Sequence, residues 1–211
     1  MARLVVFDMD GVLADAESSW VYVHRHFGVD NEHSLRAYLK GEIDDLEFIR
    51  RDITLWKDKD PAISEDKIRA VLAGVKLMPG AARTIKELKE SNVRTAIVSA
   101  GIDLLSQRIA NDLGIDLHLA NGLETDARGR LSGEGVLRVK LMDKGDAVVE
   151  AMSKLDAKPA ETVAVGNSRY DISMFRKAGK GIAFRPMDDV VRQSADFVVD
   201  EKRLTAILEF V

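Results

Sequence analysis

Residues 4–13 read Leu4-Val5-Val6-Phe7-Asp8-Met9-Asp10-Gly11-Val12-Leu13. An apolar run stops at two carboxylates spaced two residues apart. Leu4 to Phe7 is apolar on both faces and rich in β-branched residues, the pattern of a strand buried on both sides. Asp8 and Asp10 then fall at the strand's carboxyl end, where open α/β sheets receive ligands. A carboxylate there can be a nucleophile, a metal ligand or both. Gly11 lets the chain turn sharply and its backbone approach a ligand closely.

The strand stands alone for the next sixty residues. Trp20, Val21, Val23, His24 and Phe27 share one broad helical face, and Gly28 ends that segment. Leu35 and Leu39 mark a second helix that stops before Gly41. Leu46, Ile49, Ile53 and Trp56 recur at helical spacing in a third. Pro61 breaks the chain, and Ser64 is the expected N-cap of a fourth helix carrying Ile68, Val71 and Leu72. Residues 15–77 therefore read as an all-helical unit, closed by Pro79-Gly80.

Strand and helix alternate after that. Helices are expected over 81–90, 102–113, 144–155, 171–178 and 204–211. Strands are expected over 95–98, 117–119, 162–165, 181–184 and 197–199. Residues 123–139, with Gly129 near the middle, suggest a hairpin. The fold class is α/β: a Rossmann-like, doubly wound parallel sheet with an inserted helical bundle and a β-hairpin. The core comprises residues 1–14 and 78–211, and the insert residues 15–77.

Composition narrows the functions. The 211 residues carry a net charge of -4 and are 46% hydrophobic, enough for a substantial core and without the basic surface of a nucleic-acid binder. No apolar run reaches membrane-spanning length, and none resembles a secretory signal. The chain has no Cys, so packing rather than disulfides must hold it. Those features fit a cytoplasmic protein, and the abundance of Lys, Arg and Glu is in keeping with a hot environment.

Three buried strands end in polar groups: Asp8 and Asp10, then Ser99, then Gly166-Asn167-Ser168 with Asp171 beyond. Lys144 opens a helix. In a parallel sheet all strand carboxyl ends share one edge, so these groups can converge. The combination suits phosphoryl transfer to a carboxylate. Asp8 would attack phosphorus, and Asp10 would serve as general acid and then base. Ser99 and the amides of Ala100 and Gly101 would hold phosphate oxygens, and Lys144 would balance transition-state charge. A divalent metal would offset the repulsion between carboxylate and phosphate, with Asp171 ligating it directly or through water.

Asp8-Met9-Asp10-Gly11, Ser99, Lys144 and Gly166-Asn167-Ser168-Arg169-Tyr170-Asp171 resemble the four motifs of the haloacid dehalogenase superfamily of phosphohydrolases. The helical insert, with Leu119-Ala120-Asn121, Leu131-Ser132-Gly133 and Asp171-Ile172-Ser173-Met174-Phe175, is similar to the phosphoserine phosphatase subfamily. The resemblance implies a Mg²⁺-dependent phosphomonoester hydrolase with a helical cap, acting on a small phosphorylated metabolite, phosphoserine first, as monomer or homodimer. It implies metal ligation by Asp8, the main-chain carbonyl of Asp10, Asn167 and Asp171. Substrate contacts would come from Glu17, toward the amino group, and from Arg51 near the position of the cap arginine that holds the carboxylate.

Two positions depart from the pattern. Asn167 stands where the family places an acid, and an ungapped reading puts Asp52 at the arginine position. Two rival readings use the same residues: a phospho-accepting signalling protein, and a non-catalytic binding protein with a weakened metal site.

Overall fold

The computed structural model describes residues 2–211. Its sheet has seven strands: β1 (Leu4–Phe7), β2 (Arg94–Ile102), β3 (Leu117–Thr125), β4 (Leu131–Val136), β5 (Thr162–Gly166), β6 (Lys180–Phe184) and β7 (Phe197–Val199). Their order is β4-β3-β2-β1-β5-β6-β7, parallel throughout except for the β3–β4 hairpin. β1 sits between β2 and β5, with Phe7 opposite both Ile97 and Val165. That central place explains why all four of its residues are apolar and fully buried. It is also where the strand order reverses, so the crevice beyond its carboxyl end is a natural ligand site.

Side chains alternate across β1 into two cores. Val5 and Phe7 face one with Ile97, Val163 and Val165, packed under α5 (Ala81–Glu90) and α6 (Asp103–Leu113). Leu4 and Val6 face the other with Ala96, Val98 and Ala164, packed under α7 (Gly145–Lys154) and α8 (Ile172–Lys177).

Four helices come between β1 and α5: α1 (Ser19–Phe27), α2 (Glu32–Leu39), α3 (Asp45–Lys59) and α4 (Glu65–Leu72). Their ends follow the expected chemistry. Ser18, Asp44 and Ser64 accept the first-turn amides of α1, α3 and α4, and Gly28 closes α1 at φ 63°. The hairpin fastens this segment to the sheet. Lys57 Nζ donates to the carbonyls of Leu131 and Ser132, each at 2.8 Å, and Arg50 pairs with Glu134. Gly135 lies so close to α3 that an added Cβ would sit 2.2 Å from Ile49 Cγ2.

Several elements differ from expectation. β2 continues through Ser99, Ala100 and Gly101, and β3 runs nine residues rather than three because its outer half pairs with β4. The helix expected over 171–178 is a 3-10 turn, Arg169–Asp171, followed by α8. An unexpected helix, α9 (Asp189–Ser194), is capped by Asp188, and the closing stretch Leu204–Phe210 is 3-10. Among the described residues no helix is long and apolar enough to cross a membrane.

Candidate active site

β1 delivers Asp8 and Asp10 into a cavity of about 250 Å³ between the sheet edge and the helical segment. The chain turns at once: the amides of Leu13 and Ala14 both return to the carbonyl of Met9, and Gly11 adopts φ +75°. A Cβ at Gly11 would sit 2.0 Å from Asn167 Nδ2. Glycine is therefore required twice, for the positive φ and for the approach of Asn167 from the end of β5.

Lys144, at the head of α7, is 3% exposed and joins two acids. Its Nζ donates to Asp8 Oδ1 at 2.8 Å and to Asp171 Oδ1 at 2.7 Å, and its main-chain N–H donates to Ser173 Oγ. Burial alone would depress the lysine's pKa, but Asp171 and Asp8 outweigh it and raise it, so the ammonium is a permanent charge. Burial, aided by Asp171, pushes the Asp8 carboxyl up to about 7 against the pull of Lys144. A cation beside Asp8 would bring it down again.

Asp10 is held by α1. Ser19 donates its main-chain N–H and its hydroxyl to Oδ2, both at 2.9 Å, and Oδ1 is buried without a partner. Burial raises the pKa of Asp10 although the Ser19 bonds oppose it. The protonated form therefore persists further toward neutrality than in an ordinary aspartate. Ser19 Oγ also accepts from the amide of Ile102 at 3.0 Å, tying α1 to the end of β2. Gly101 leaves room for this junction: a Cβ there would stand 2.6 Å from Ser19 Oγ and 2.7 Å from Asp10 Oδ2.

Ser99, 2% exposed, lines the same cavity with Ala100 and Gly101. Of the three, Gly101 has its amide already engaged, donating to Ser99 Oγ at 3.2 Å. The Ala100 carbonyl is fixed from two sides, by Trp20 Nε1 at 3.0 Å and Asn121 Nδ2 at 3.2 Å. Asn121 is itself locked, since its Oδ1 accepts from the amides of Arg138 and Val139.

The oxygen-bearing groups that line the cavity include the Asp8 and Asp10 carboxylates and the Asn167 amide. Such a mixed oxygen set suits Mg²⁺ better than a softer metal. Among the described residues no group of three or more His, Cys, Asp or Glu is placed to hold a metal ion. Asp171 does not fit the expected role of direct ligand. It is fully buried, Oδ1 accepts from Lys144, and Oδ2 accepts from Asn167 N, Ser168 N and Ser168 Oγ at 2.9–3.0 Å. Its four protein donors make it the anchor of Lys144 and of the β5 loop.

On the helical side, Glu17 lines the cavity, but it is largely exposed and already pairs with Arg25 at 2.8 Å. Arg51 does not line it. α3 turns Asp45, Phe48, Ile49 and Asp52 toward the cavity, at spacings of three and four. Arg51 instead pairs with Glu47 on the outer side. The expectation that Arg51 contacts substrate is corrected by that helical phase. Ser19 and Asn121 were not anticipated as site residues, whereas Asp52, which an ungapped reading puts at the arginine position, does line the cavity.

The fold and this edge of polar groups define a hydrolase class. The chain belongs to the haloacid dehalogenase-like hydrolases, whose family model matches residues 2–179. It is similar to the phosphoserine phosphatase of Methanocaldococcus jannaschii, with 30% identity over 99% of this chain and 97% of that one. It is also similar to that of Wolinella succinogenes, with 29% identity over 98% of each. Among solved structures, a phospho-aspartyl intermediate analogue of phosphoserine phosphatase superposes with a TM-score of 0.82 at 28% identity, covering 100% of this chain and 99% of that one. A substrate-bound phosphoserine phosphatase complex superposes with a TM-score of 0.83, with the same identity and coverage.

Proposed function

We propose that the chain is a phosphomonoester hydrolase that acts on a small phosphorylated metabolite through an aspartyl phosphate on Asp8. The observation that carries this reading is the meeting, in one small cavity, of a buried carboxylate 2.8 Å from a buried ammonium and a second acid with a free, buried oxygen.

In the first step an oxygen of Asp8 bonds to phosphorus as the ester P–O bond breaks. The leaving oxygen takes the proton of Asp10, whose raised pKa suits a general acid. In the second step water attacks the aspartyl phosphate, its proton returns to Asp10, the Asp8–P bond breaks, and inorganic phosphate leaves. Lys144, braced by Asp171, places positive charge beside the phosphoryl oxygens throughout. The Ser99 hydroxyl and the Ala100 amide would hold the remaining phosphate oxygens. Asp8, Asn167 and the Asp10 carbonyl would hold Mg²⁺, which when bound offsets the repulsion between carboxylate and phosphate dianion.

We read residues 15–77 as a cap over a core of residues 1–14 and 78–211. Trp20 from α1 and the inward face of α3 roof the cavity, which supports a role in excluding water and contacting the leaving group.

The test is phosphate release from a panel of small phosphoesters with and without Mg²⁺. O-phosphoserine comes first because the relatives carry its name. Mg²⁺-dependent release that Asp8→Asn abolishes is expected. No release from any ester would overturn the proposal.

A further inference from the structure

The two ends of the cavity differ in charge: the sheet edge sets Lys144 against Asp8 and Asp10, and the helical wall carries acids alone. At the sheet edge stands Lys144, the only Lys or Arg among the lining residues. The helical wall contributes Asp45, Asp52 and Glu17, the last paired with the exposed Arg25, and no Lys or Arg of that wall lines the cavity. The two arginines nearest in sequence, Arg50 and Arg51, are turned outward onto Glu47 and Glu134.

Asp52 is the most deeply set of these acids, at 2% exposure, and the Asn31 amide orients it. Asn31 Nδ2 reaches both of its oxygens at 3.0 Å. His24 Nε2 stands 3.3 Å from Oδ2. Trp56 Nε1 donates to His24 Nδ1 at 2.7 Å, which makes Nδ1 the acceptor and turns Nε2 toward Asp52. Among the described residues no Lys or Arg pairs with this carboxylate. Trp56 stacks on Trp20, centroids 5.5 Å apart, and Trp20 lines the cavity. Asp45 likewise meets neutral donors, the Tyr38 hydroxyl at 3.0 Å and the Leu141 amide at 2.9 Å.

Carboxylates beside an aromatic face attract an ammonium group. A carboxylate on the leaving group would instead enter a small cavity opposite like charges, with no free cation to balance it. We infer that the leaving alcohol bears an ammonium and no carboxylate: the substrate is the phosphate ester of an amino alcohol, selected by Asp52 with Asp45 and Glu17. This deepens the hydrolase reading above and rests on it.

The test compares kcat/KM for O-phosphoethanolamine, O-phosphoserine, glycerol 2-phosphate and p-nitrophenyl phosphate. O-phosphoethanolamine should exceed both O-phosphoserine and glycerol 2-phosphate by about tenfold or more, the scale of one well-placed charge contact. In Asp52→Asn its advantage over O-phosphoserine should shrink by about tenfold. Glu17→Gln, at an exposed site, should shrink it in the same direction should Asp52→Asn fail to fold. O-phosphoserine hydrolysed as well as O-phosphoethanolamine, or an unchanged ratio in a folded Asp52→Asn, would overturn the inference while leaving the hydrolase reading intact. Hydrolysis of none of the four, the aryl ester included, would overturn both.

Discussion

Ser19 donates two hydrogen bonds to one oxygen of Asp10 and leaves the other buried and unpartnered. The first helix of the insert thereby aims the acid of the core. Its hydroxyl also receives the Ile102 amide, so the strand end that carries Ser99 is tied to the same point. Ser19→Ala should keep the fold and lower kcat by about tenfold to a hundredfold, since a hydrogen bond to a charged group is worth about 1.5–3 kcal/mol. It should also move the pH at which Asp10 loses its proton upward, because the Ser19 bonds hold that pKa down. The kcat–pH profiles of parent and variant check this; superimposable profiles would count against a positioning role.

Gly101→Ala should also harm turnover more than stability. The new methyl would press on Ser19 Oγ, Asp10 Oδ2 and the flexible Met9 side chain. Overpacking of this kind costs about 1–3 kcal/mol of stability, whereas a misaligned proton donor should cost at least about tenfold in kcat. Thermal melts alongside single-turnover rates separate the two effects. Parental kcat in Gly101→Ala would show that the crowding is absorbed elsewhere.

Residues 167 and 171 should behave differently toward metal. Asn167→Asp adds a charged oxygen where an amide now stands, and should lower the Mg²⁺ concentration for half-maximal activity by about tenfold, or about 1.4 kcal/mol. Asp171→Asn should reduce kcat, through the loosening of Lys144, and leave the Mg²⁺ midpoint near that of the parent. Magnesium titrations of activity and of thermal stability measure both. A midpoint that shifts in Asp171→Asn and not in Asn167→Asp would reverse the assignment.

Without metal, Asp8 should make stability depend on pH. Its folded pKa, about 7, lies above the ordinary 3.8, so the folded state holds this proton more tightly than the unfolded chain does. The contribution is complete below 3.8 and is lost as pH rises toward about 7. Relative to the parent, Asp8→Asn in chelator should lose less stability across that window. Parallel stability–pH curves for the two proteins would contradict the buried, proton-retaining Asp8.

How much of this was legible in the chain depends on the physical signal each part leaves. The Leu4–Phe7 run announced a strand buried on both faces, and its abrupt end in Asp8 and Asp10 located the ligand edge. The insert helices were marked by periodicity and by Ser64 and Gly28. Ser19 left no trace, because a serine at a helix start is ordinary and its partners, Asp10 and Ile102, are set by tertiary packing. Asp171 could be read as an acid near the edge but not as one saturated by Lys144 and the Asn167–Ser168 amides, since spacing does not reveal occupancy. The Arg51 expectation came from proximity along the chain; the ungapped reading and the helical phase both point to Asp52. The long β3 and α9 were obscured because hairpin pairing and one Asp188 cap decide them.

The central claim is that phosphorus passes through Asp8. Acid quenching during steady-state turnover, followed by borohydride reduction and peptide mass spectrometry, tests it most directly, because reduction converts an aspartyl phosphate to homoserine. The account predicts homoserine at position 8, absent without substrate. Turnover with homoserine at another position, or at none, would contradict it.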